Sequence, residues 1–140
     1  MAQRKFLIDT SALARIGNPS VIERWGDLLG SGMIGVCPIT ELEFRFSARS
    51  VEDAERRRTW LADIFTWYSV PDTVWRRTEE VQIELLRQGK QRSAGAVDLL
   101  LAATAEFHDL TVLHYDSDFE TIASITGQPT QWIAPRGSVS

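Results

Sequence analysis

Short apolar segments alternate along the chain with longer segments whose apolar residues recur at helical spacing. Residues 6–8, 33–37, 111–115 and 130–133 predict strands, and residues 68–70 predict a weaker one. Helices are predicted directly after Asp9, at 21–29, from Pro38 onward, at 51–67, between residue 73 and Gly89, at 93–107 and at 119–125. Strands that alternate with helices predict an α/β fold in which a parallel sheet carries helices on both faces.

Length and composition narrow the class of protein. The 140 residues fit one domain, 1–140, and a formal net charge of −4 argues against a general nucleic-acid coat protein. The single cysteine, Cys37, excludes an internal disulfide and a cysteine-based zinc cluster. Asp9 interrupts the first apolar segment too early for a signal peptide, and the longest apolar stretch, 96–105, is too short to span a bilayer. We therefore expect a cytoplasmic protein without a membrane segment.

Four carboxylates fall where a parallel sheet would bring them together. Asp9 and Asp116 directly follow predicted strands, and Glu41 lies in the first turn of the helix after the second strand. Asp98 interrupts an apolar helix, where a carboxylate is costly to bury without a partner. Because ligands bind at the carboxyl ends of the strands in open α/β sheets, we expect these four side chains to converge.

A carboxylate cluster of this kind favours metal-assisted chemistry. Neighbouring carboxylates raise one another's pKa values, and a divalent cation removes that repulsion. Magnesium prefers oxygen ligands, retains waters for substrate phosphates and stabilises charge on a phosphate during its transfer. The pattern therefore predicts hydrolysis of phosphodiester bonds.

Each acid also has a simpler interpretation on its own. Asp9 suits the N-cap of the following helix, Glu41 suits a first helical turn, and Asp116 suits a tight turn. Asp98 is the hardest to explain in this way, because a capping residue would lie nearer Ser93. The functional prediction therefore depends on the combination of acids.

Four segments in order resemble one protein family over nearly the whole chain. They are residues 6–13, which carry Asp9, residues 39–42, which carry Glu41, residues 98–105, which begin with Asp98, and residues 112–119, which carry Asp116. Together they resemble the PIN-domain ribonucleases and, within them, the VapC-type toxins of bacterial toxin–antitoxin pairs.

The resemblance implies a fold, an activity and partners. The implied fold is a three-layer α/β/α domain with a central four- or five-stranded parallel sheet. The implied activity is endoribonuclease cleavage of RNA at a magnesium site, with manganese as the alternative metal, formed by Asp9, Glu41, Asp98 and Asp116. It also implies a cognate antitoxin and a homodimer. A PIN-like module that binds RNA or protein without turnover is the alternative function.

Two site assignments remain open. Glu43 competes with Glu41, and the two cannot face the same way because they are two residues apart on a helix. The family pattern favours Glu41. Asp118 competes with Asp116, and we take Asp116 as the primary ligand with Asp118 as an alternate or supporting one.

Other polar and aromatic residues have weaker functional interpretations. His108 and His114 suggest metal-free acid–base cleavage, but their predicted places at a helix end and in a strand favour structural roles. Trp60, Ile64 and Trp67 share one side of a charged helix. Core packing is the default for such residues, and an exposed apolar patch would instead suit an antitoxin segment.

Basic residues precede the third acid. Arg87, Lys90 and Arg92 lie in a stretch that contains no acid before Asp98. Their position is compatible with contacts to phosphate and equally with an exposed, solubilising loop.

Overall fold

The computed structural model describes residues 4–140, so the first three residues of the predicted domain lie outside the described residues. Seven α-helices and five strands are found in this part of the chain. In order they are β1 Phe6–Ile8, α1 Thr10–Leu13, α2 Pro19–Gly30, β2 Ile34–Val36, α3 Pro38–Phe46, α4 Val51–Ile64, β3 Thr66–Trp67, α5 Val74–Arg87, α6 Ala96–Phe107, β4 Thr111–His114, α7 Asp118–Thr126 and β5 Thr130–Trp132. A short 3₁₀ helix, Gln91–Ser93, precedes α6.

The five strands form one parallel sheet in the order β3-β2-β1-β4-β5. The expected α/β fold with a central parallel sheet is thereby confirmed, with five strands. Strand β1 lies at the centre, paired with β2 on one side and β4 on the other. The residues that follow these three neighbouring strands therefore meet at one edge of the sheet.

Alternation of side chains along the strands produces two apolar layers. Phe6 and Ile8 belong to one core cluster, together with residues of α2 and α4, whereas Leu7 between them belongs to the other. That second cluster takes its helical residues mainly from α5, α6 and α7. Because successive residues of a strand point to opposite faces, a three-residue strand supplies both layers, as in the expected α/β/α arrangement.

The largest differences from the predicted boundaries concern the third strand, the helix that precedes it and helix α6. The third strand is Thr66–Trp67 and not residues 68–70, because α4 ends at Ile64 and Phe65 takes an extended conformation. Both residues of this edge strand are exposed, so no apolar pattern marks it in the sequence. Helix α6 begins at Ala96 and not at residue 93. Ser93 belongs to the 3₁₀ helix, and the extended residues Ala94 and Gly95 separate that helix from α6.

Helix α3 is anchored to the central strand by a buried side chain. The hydroxyl of Thr40 donates a hydrogen bond of 2.8 Å to the carbonyl of Ile8, the last residue of β1. Thr40 is fully buried, so this bond fixes the rotation of α3 about its own axis. In the described part of the chain the longest α-helices have 14 residues, and none is long and apolar enough to cross a membrane.

Candidate active site

Asp9 follows β1 and is the N-cap of α1. Only one of its two carboxylate oxygens takes part in the cap. Its Oδ2 accepts hydrogen bonds from the backbone N–H of Ser11 at 2.9 Å and from the Ser11 hydroxyl at 2.6 Å. Its Oδ1 is buried and has no hydrogen-bond partner in the described chain. A buried carboxylate oxygen without a partner is costly, so this atom is suited to a ligand.

Asp98, Asp116 and Asp118 form the densest group of acids. One carboxylate oxygen from each lies within 4.8 Å of the others, which is close enough for a shared metal ion. Asp98 comes from the first turn of α6, whereas Asp116 and Asp118 follow β4. Asp116 Oδ1 also accepts a hydrogen bond of 2.9 Å from the backbone N–H of Asp118. The sequence left these two residues as alternatives, and the structure brings both to Asp98.

Burial and mutual repulsion both raise pKa values within this group. Burial raises the pKa of Asp98 to about 7, and the charges of Asp9, Asp116, Asp118 and Glu43 add to this effect. Burial also raises the pKa of Asp9 and of Asp118, and further contributions come from Glu43 and Asp116 respectively. These residues fit a divalent cation, because a cation would satisfy the free Asp9 oxygen and offset the mutual repulsion.

Glu43, rather than Glu41, faces this group. Glu43 Oε1 accepts a hydrogen bond of 2.7 Å from the hydroxyl of Thr10, and its charge contributes to the raised pKa values of Asp9 and Asp98. Glu41 Oε1 instead accepts a hydrogen bond of 3.0 Å from the indole N–H of Trp67. The expected convergence of Glu41 with the other acids is therefore not found.

The orientation of α3 explains this difference. Thr40 points towards the end of β1, and the residue three positions later on a helix shares its side. That residue is Glu43. Glu41 follows Thr40 directly and is rotated away towards the edge strand, where Trp67 lies.

Two residues that were not predicted as ligands, Ser11 and His114, hydrogen-bond the segments that carry the acids. The Ser11 hydroxyl donates to Asp9 and accepts a hydrogen bond of 2.9 Å from the backbone N–H of Tyr115, so it joins the ends of β1 and β4. His114 Nδ1 accepts a hydrogen bond of 3.1 Å from the backbone N–H of Asp116. The signal available in the sequence was only that each lies two residues from an acid, which is common in turns.

Neither histidine is placed as an acid–base group among the carboxylates. His114 is fully buried between Phe119 and Trp132, with ring centroids 5.2 and 4.9 Å away. Burial lowers its pKa to about 4 and favours the neutral ring. His108 ends α6, and its Nε2 lies 2.8 Å from the carbonyl of Ser69. These positions agree with the structural roles expected for both.

The fold and this acidic site are those of a PIN domain, and comparisons with known proteins agree. The family model described as the PIN domain matches residues 6–125. The chain therefore belongs to the PIN-domain family. It is 43% identical over 134 residues to Ribonuclease VapC21 of Mycobacterium tuberculosis, covering 96% of this chain and 97% of the relative. Ribonuclease VapC51 of the same organism is 39% identical over 135 residues, with 96% and 97% coverage. Within the PIN domains, the chain thus belongs to the VapC ribonucleases.

Solved structures share the fold at lower sequence identity. The DNA-bound VapBC structure from Salmonella typhimurium matches with a TM-score of 0.74 and 22% identity, covering 94% of this chain and 100% of that one. The FitAcB structure from Neisseria gonorrhoeae matches with a TM-score of 0.71 and 21% identity, covering 89% and 95%. At these identities the likeness concerns the fold alone.

Proposed function

We propose that this chain is a metal-dependent endoribonuclease that hydrolyses RNA phosphodiester bonds and acts as the toxin of a toxin–antitoxin pair. The observation that carries the proposal is the acidic group itself, with Asp98, Asp116 and Asp118 within 4.8 Å of one another beside the free Oδ1 of Asp9. Membership of the VapC ribonucleases supports the same activity.

We assign the metal to four aspartates and one supporting glutamate. Asp9 Oδ1, Asp98, Asp116 and Asp118 would hold the ion directly or through water, and Glu43 would complete the acidic pocket in place of Glu41. Magnesium suits this all-oxygen set, and manganese is the alternative. When bound, such a cation lowers the pKa of water and stabilises negative charge on a phosphate.

Two aspartates have properties that would matter for binding this ion: the raised pKa of Asp98 and the fixed orientation of Asp9. Burial and neighbouring charges raise the pKa of Asp98 to about 7, so binding of a metal ion near this pH would displace its proton. Asp9 is held rigidly by Ser11, which keeps its free oxygen directed away from the helix cap. Hydrolysis by water would leave a 5′ phosphate and a 3′ hydroxyl on the RNA products.

The test is cleavage of end-labelled RNA by purified protein with magnesium, with manganese and with EDTA. We expect cleavage that EDTA abolishes, no cleavage by Asp9→Asn or Asp98→Asn, and unchanged cleavage by the control Asp27→Asn, whose side chain lies exposed on α2. Full activity of either site variant would reject the metal assignment. A 2′,3′-cyclic phosphate product would contradict hydrolysis by water, because it indicates attack by the ribose hydroxyl. Binding of RNA without cleavage under all conditions would favour the module without turnover.

We further propose that an antitoxin segment occupies an apolar groove between α2 and α4. The groove has a volume of about 670 Å³, and Ile22, Leu29, Trp60 and Ile64 contribute to its walls. Trp60 and Ile64 are each 36% exposed. Trp67, which the sequence grouped with them, is 58% exposed but lies on β3 and does not line the groove. An apolar helix or extended segment would cover the groove.

The partner is tested by co-expression with the adjacent small open reading frame. We expect a complex that purifies intact, does not cleave RNA and recovers cleavage when the partner is removed. Ile22→Asp should prevent the complex while leaving cleavage unchanged, because Ile22 lines the groove and none of the acids assigned to the metal does. Equal cleavage by the free and complexed protein would contradict inhibition by this partner. The homodimer remains a prediction, to be tested by light scattering of the free protein.

A further inference from the structure

Arg15 follows α1, the helix that Asp9 caps, and it has no ion-pair partner within residues 4–140. Its Nη1 donates a hydrogen bond of 2.7 Å to the carbonyl of Ser11, and its guanidinium lies over the ring of Tyr115 with Cζ 4.4 Å from the ring centroid. No carboxylate of residues 4–140 forms an ion pair with it. Both contacts therefore orient the side chain without neutralising its charge.

Both residues that Arg15 contacts, Ser11 and Tyr115, are close in the chain to acids of the site. Ser11 hydrogen-bonds Asp9 through its side chain, and Tyr115 directly precedes Asp116. The guanidinium thus lies beside α1, in contact with the carbonyl of Ser11 four residues earlier. A fixed positive charge therefore contacts Ser11, which bonds Asp9, and Tyr115, which precedes Asp116.

The Tyr115 ring on which the guanidinium stacks is itself fixed by contacts with other residues. The Tyr115 hydroxyl lies 3.0 Å from the carbonyl of Val139 and accepts a hydrogen bond of 3.1 Å from its N–H. The Tyr115 ring also meets Trp132 edge to face, with ring centroids 5.6 Å apart. A guanidinium stacked on such a ring loses little further freedom when it binds a ligand.

The N–H groups of Arg15 that make no hydrogen bond within the protein determine which chemical class of ligand it can bind. A guanidinium has five N–H donors, and here only Nη1 makes a hydrogen bond within the described residues. Nε is buried without a partner, whereas Nη2 is not among the buried unpartnered atoms and so keeps access to solvent. Planar arginine donors match the oxygens of a phosphate.

Five other cations are less suited to this role. Arg57, Arg77 and Arg87 each pair with a carboxylate. Lys90 and Arg92, which the sequence offered as phosphate contacts, are exposed, and no side-chain hydrogen bond or aromatic contact within residues 4–140 fixes their position. Since five acids repel a polyanion, a cation held next to them would favour the approach of RNA.

We propose that Arg15 binds a backbone phosphate of the RNA next to the bond that is cleaved. The inference rests on the proposed ribonuclease function and adds a residue that contacts the substrate to it. Arg15 would bind the RNA by position and charge and would not read its sequence, because phosphate contacts carry no base information.

The test measures binding of a short, mixed-sequence, fluorescein-labelled single-stranded RNA by fluorescence anisotropy over a range of salt concentrations. All variants carry Asp98→Asn so that RNA stays intact. We expect Arg15→Gln to raise Kd by about tenfold and to reduce the slope of log K against log salt by about 0.7, the value for one contact to a single strand. The matched control is Arg24→Gln, because Arg24 is exposed and also stacks on an aromatic ring, at 5.2 Å from that of Trp25. This control should leave both quantities unchanged.

A second variant separates phosphate binding from a structural effect. Arg15→Lys keeps the charge but loses the stacked, planar geometry, so we expect the salt slope to be retained with Kd raised only a few-fold. In the active protein, Arg15→Gln should raise KM while kcat stays within about twofold. Binding by Arg15→Gln equal to that of the parent, or a slope in Arg15→Lys as low as in Arg15→Gln, would overturn the proposal. Absence of RNA binding in every variant, Arg24→Gln included, would instead count against the ribonuclease function.

Discussion

The Ser11 hydroxyl donates a 2.6 Å hydrogen bond to Asp9 Oδ2, which also accepts the Ser11 backbone N–H, and these two bonds to one oxygen leave Oδ1 free. The same hydroxyl accepts a hydrogen bond from the backbone N–H of Tyr115, the residue before Asp116. Ser11 therefore fixes the first acid of the site and the strand end that carries another. Residues that orient metal ligands in this way commonly affect metal affinity as strongly as some ligands do.

Ser11→Ala should therefore lower RNA cleavage by roughly tenfold and raise the magnesium concentration needed for half-maximal rate. Ser20→Ala is the matched control, because Ser20 makes the same pair of bonds to the capping residue Asn18, at 3.0 Å from its N–H and 2.7 Å from its hydroxyl. Both variants lose a hydroxyl that bonds the N-cap residue of a helix. Thermal unfolding of each variant measures how much stability this loss removes. A similar loss of activity in both variants would show that Ser11 acts through stability alone.

The two glutamates of α3 give a second prediction. Glu43→Gln should reduce cleavage on the order of tenfold or more, because the Glu43 charge acts on Asp9 and Asp98. Glu41→Gln should change cleavage less than about twofold, because Glu41 is bound to Trp67 at the edge of the sheet. Rates measured at saturating magnesium for both variants test the assignment. The opposite order of effects would restore Glu41 as the site residue.

The sequence allowed the sheet and most of the acids to be located because these depend on local patterns. An apolar run such as Phe6–Ile8 that ends at an acid marks a central strand and its carboxyl end together. Thr66–Trp67 was misplaced because an exposed edge strand carries no such pattern. The choice between Glu41 and Glu43 depended on the rotation of α3, which the long-range bond from Thr40 to Ile8 determines. Contacts of this kind are not visible in local spacing.

The same limit applies to the residues around the acids. Ser11 reaches Tyr115 across 104 positions of the chain, and Arg15 stacks on that same tyrosine. Each of these side chains has an ordinary local interpretation, as a capping residue or a surface cation. Only the parallel pairing of β1 with β4 brings them together.

The raised pKa of Asp98 predicts how the metal-free protein responds to pH. Its pKa is about 7 in the folded protein against 3.8 for the ordinary carboxyl group, so folding favours the protonated form. The stabilisation is complete below the unfolded pKa and is lost as pH rises through the folded value. Burial raises the pKa values of Asp9 and Asp118 as well, and they act in the same direction.

In EDTA, thermal unfolding should therefore occur at a lower temperature at about pH 8 than at about pH 5. Asp98→Asn should reduce this difference, with a gain in stability at the higher pH on the order of 1 kcal/mol. Magnesium should raise the unfolding temperature of the parent most at the higher pH, because it binds the ionised carboxylates. Identical pH dependence of the parent and Asp98→Asn would contradict the raised pKa of this residue.

His114 provides the last prediction, because its buried ring accepts the backbone N–H of Asp116 through Nδ1. Its low pKa, about 4, keeps the ring neutral at the pH of cleavage, so Nδ1 remains an acceptor. His114→Phe keeps a ring between Phe119 and Trp132 but removes the acceptor, and it should lower cleavage by about tenfold. His114→Asn places an amide oxygen close to the position of Nδ1 and should retain more activity, although the smaller side chain leaves a cavity and lowers the unfolding temperature further. Activity and unfolding temperature should thus change in opposite order between the two variants. Activity that follows unfolding temperature in both would assign His114 to packing alone.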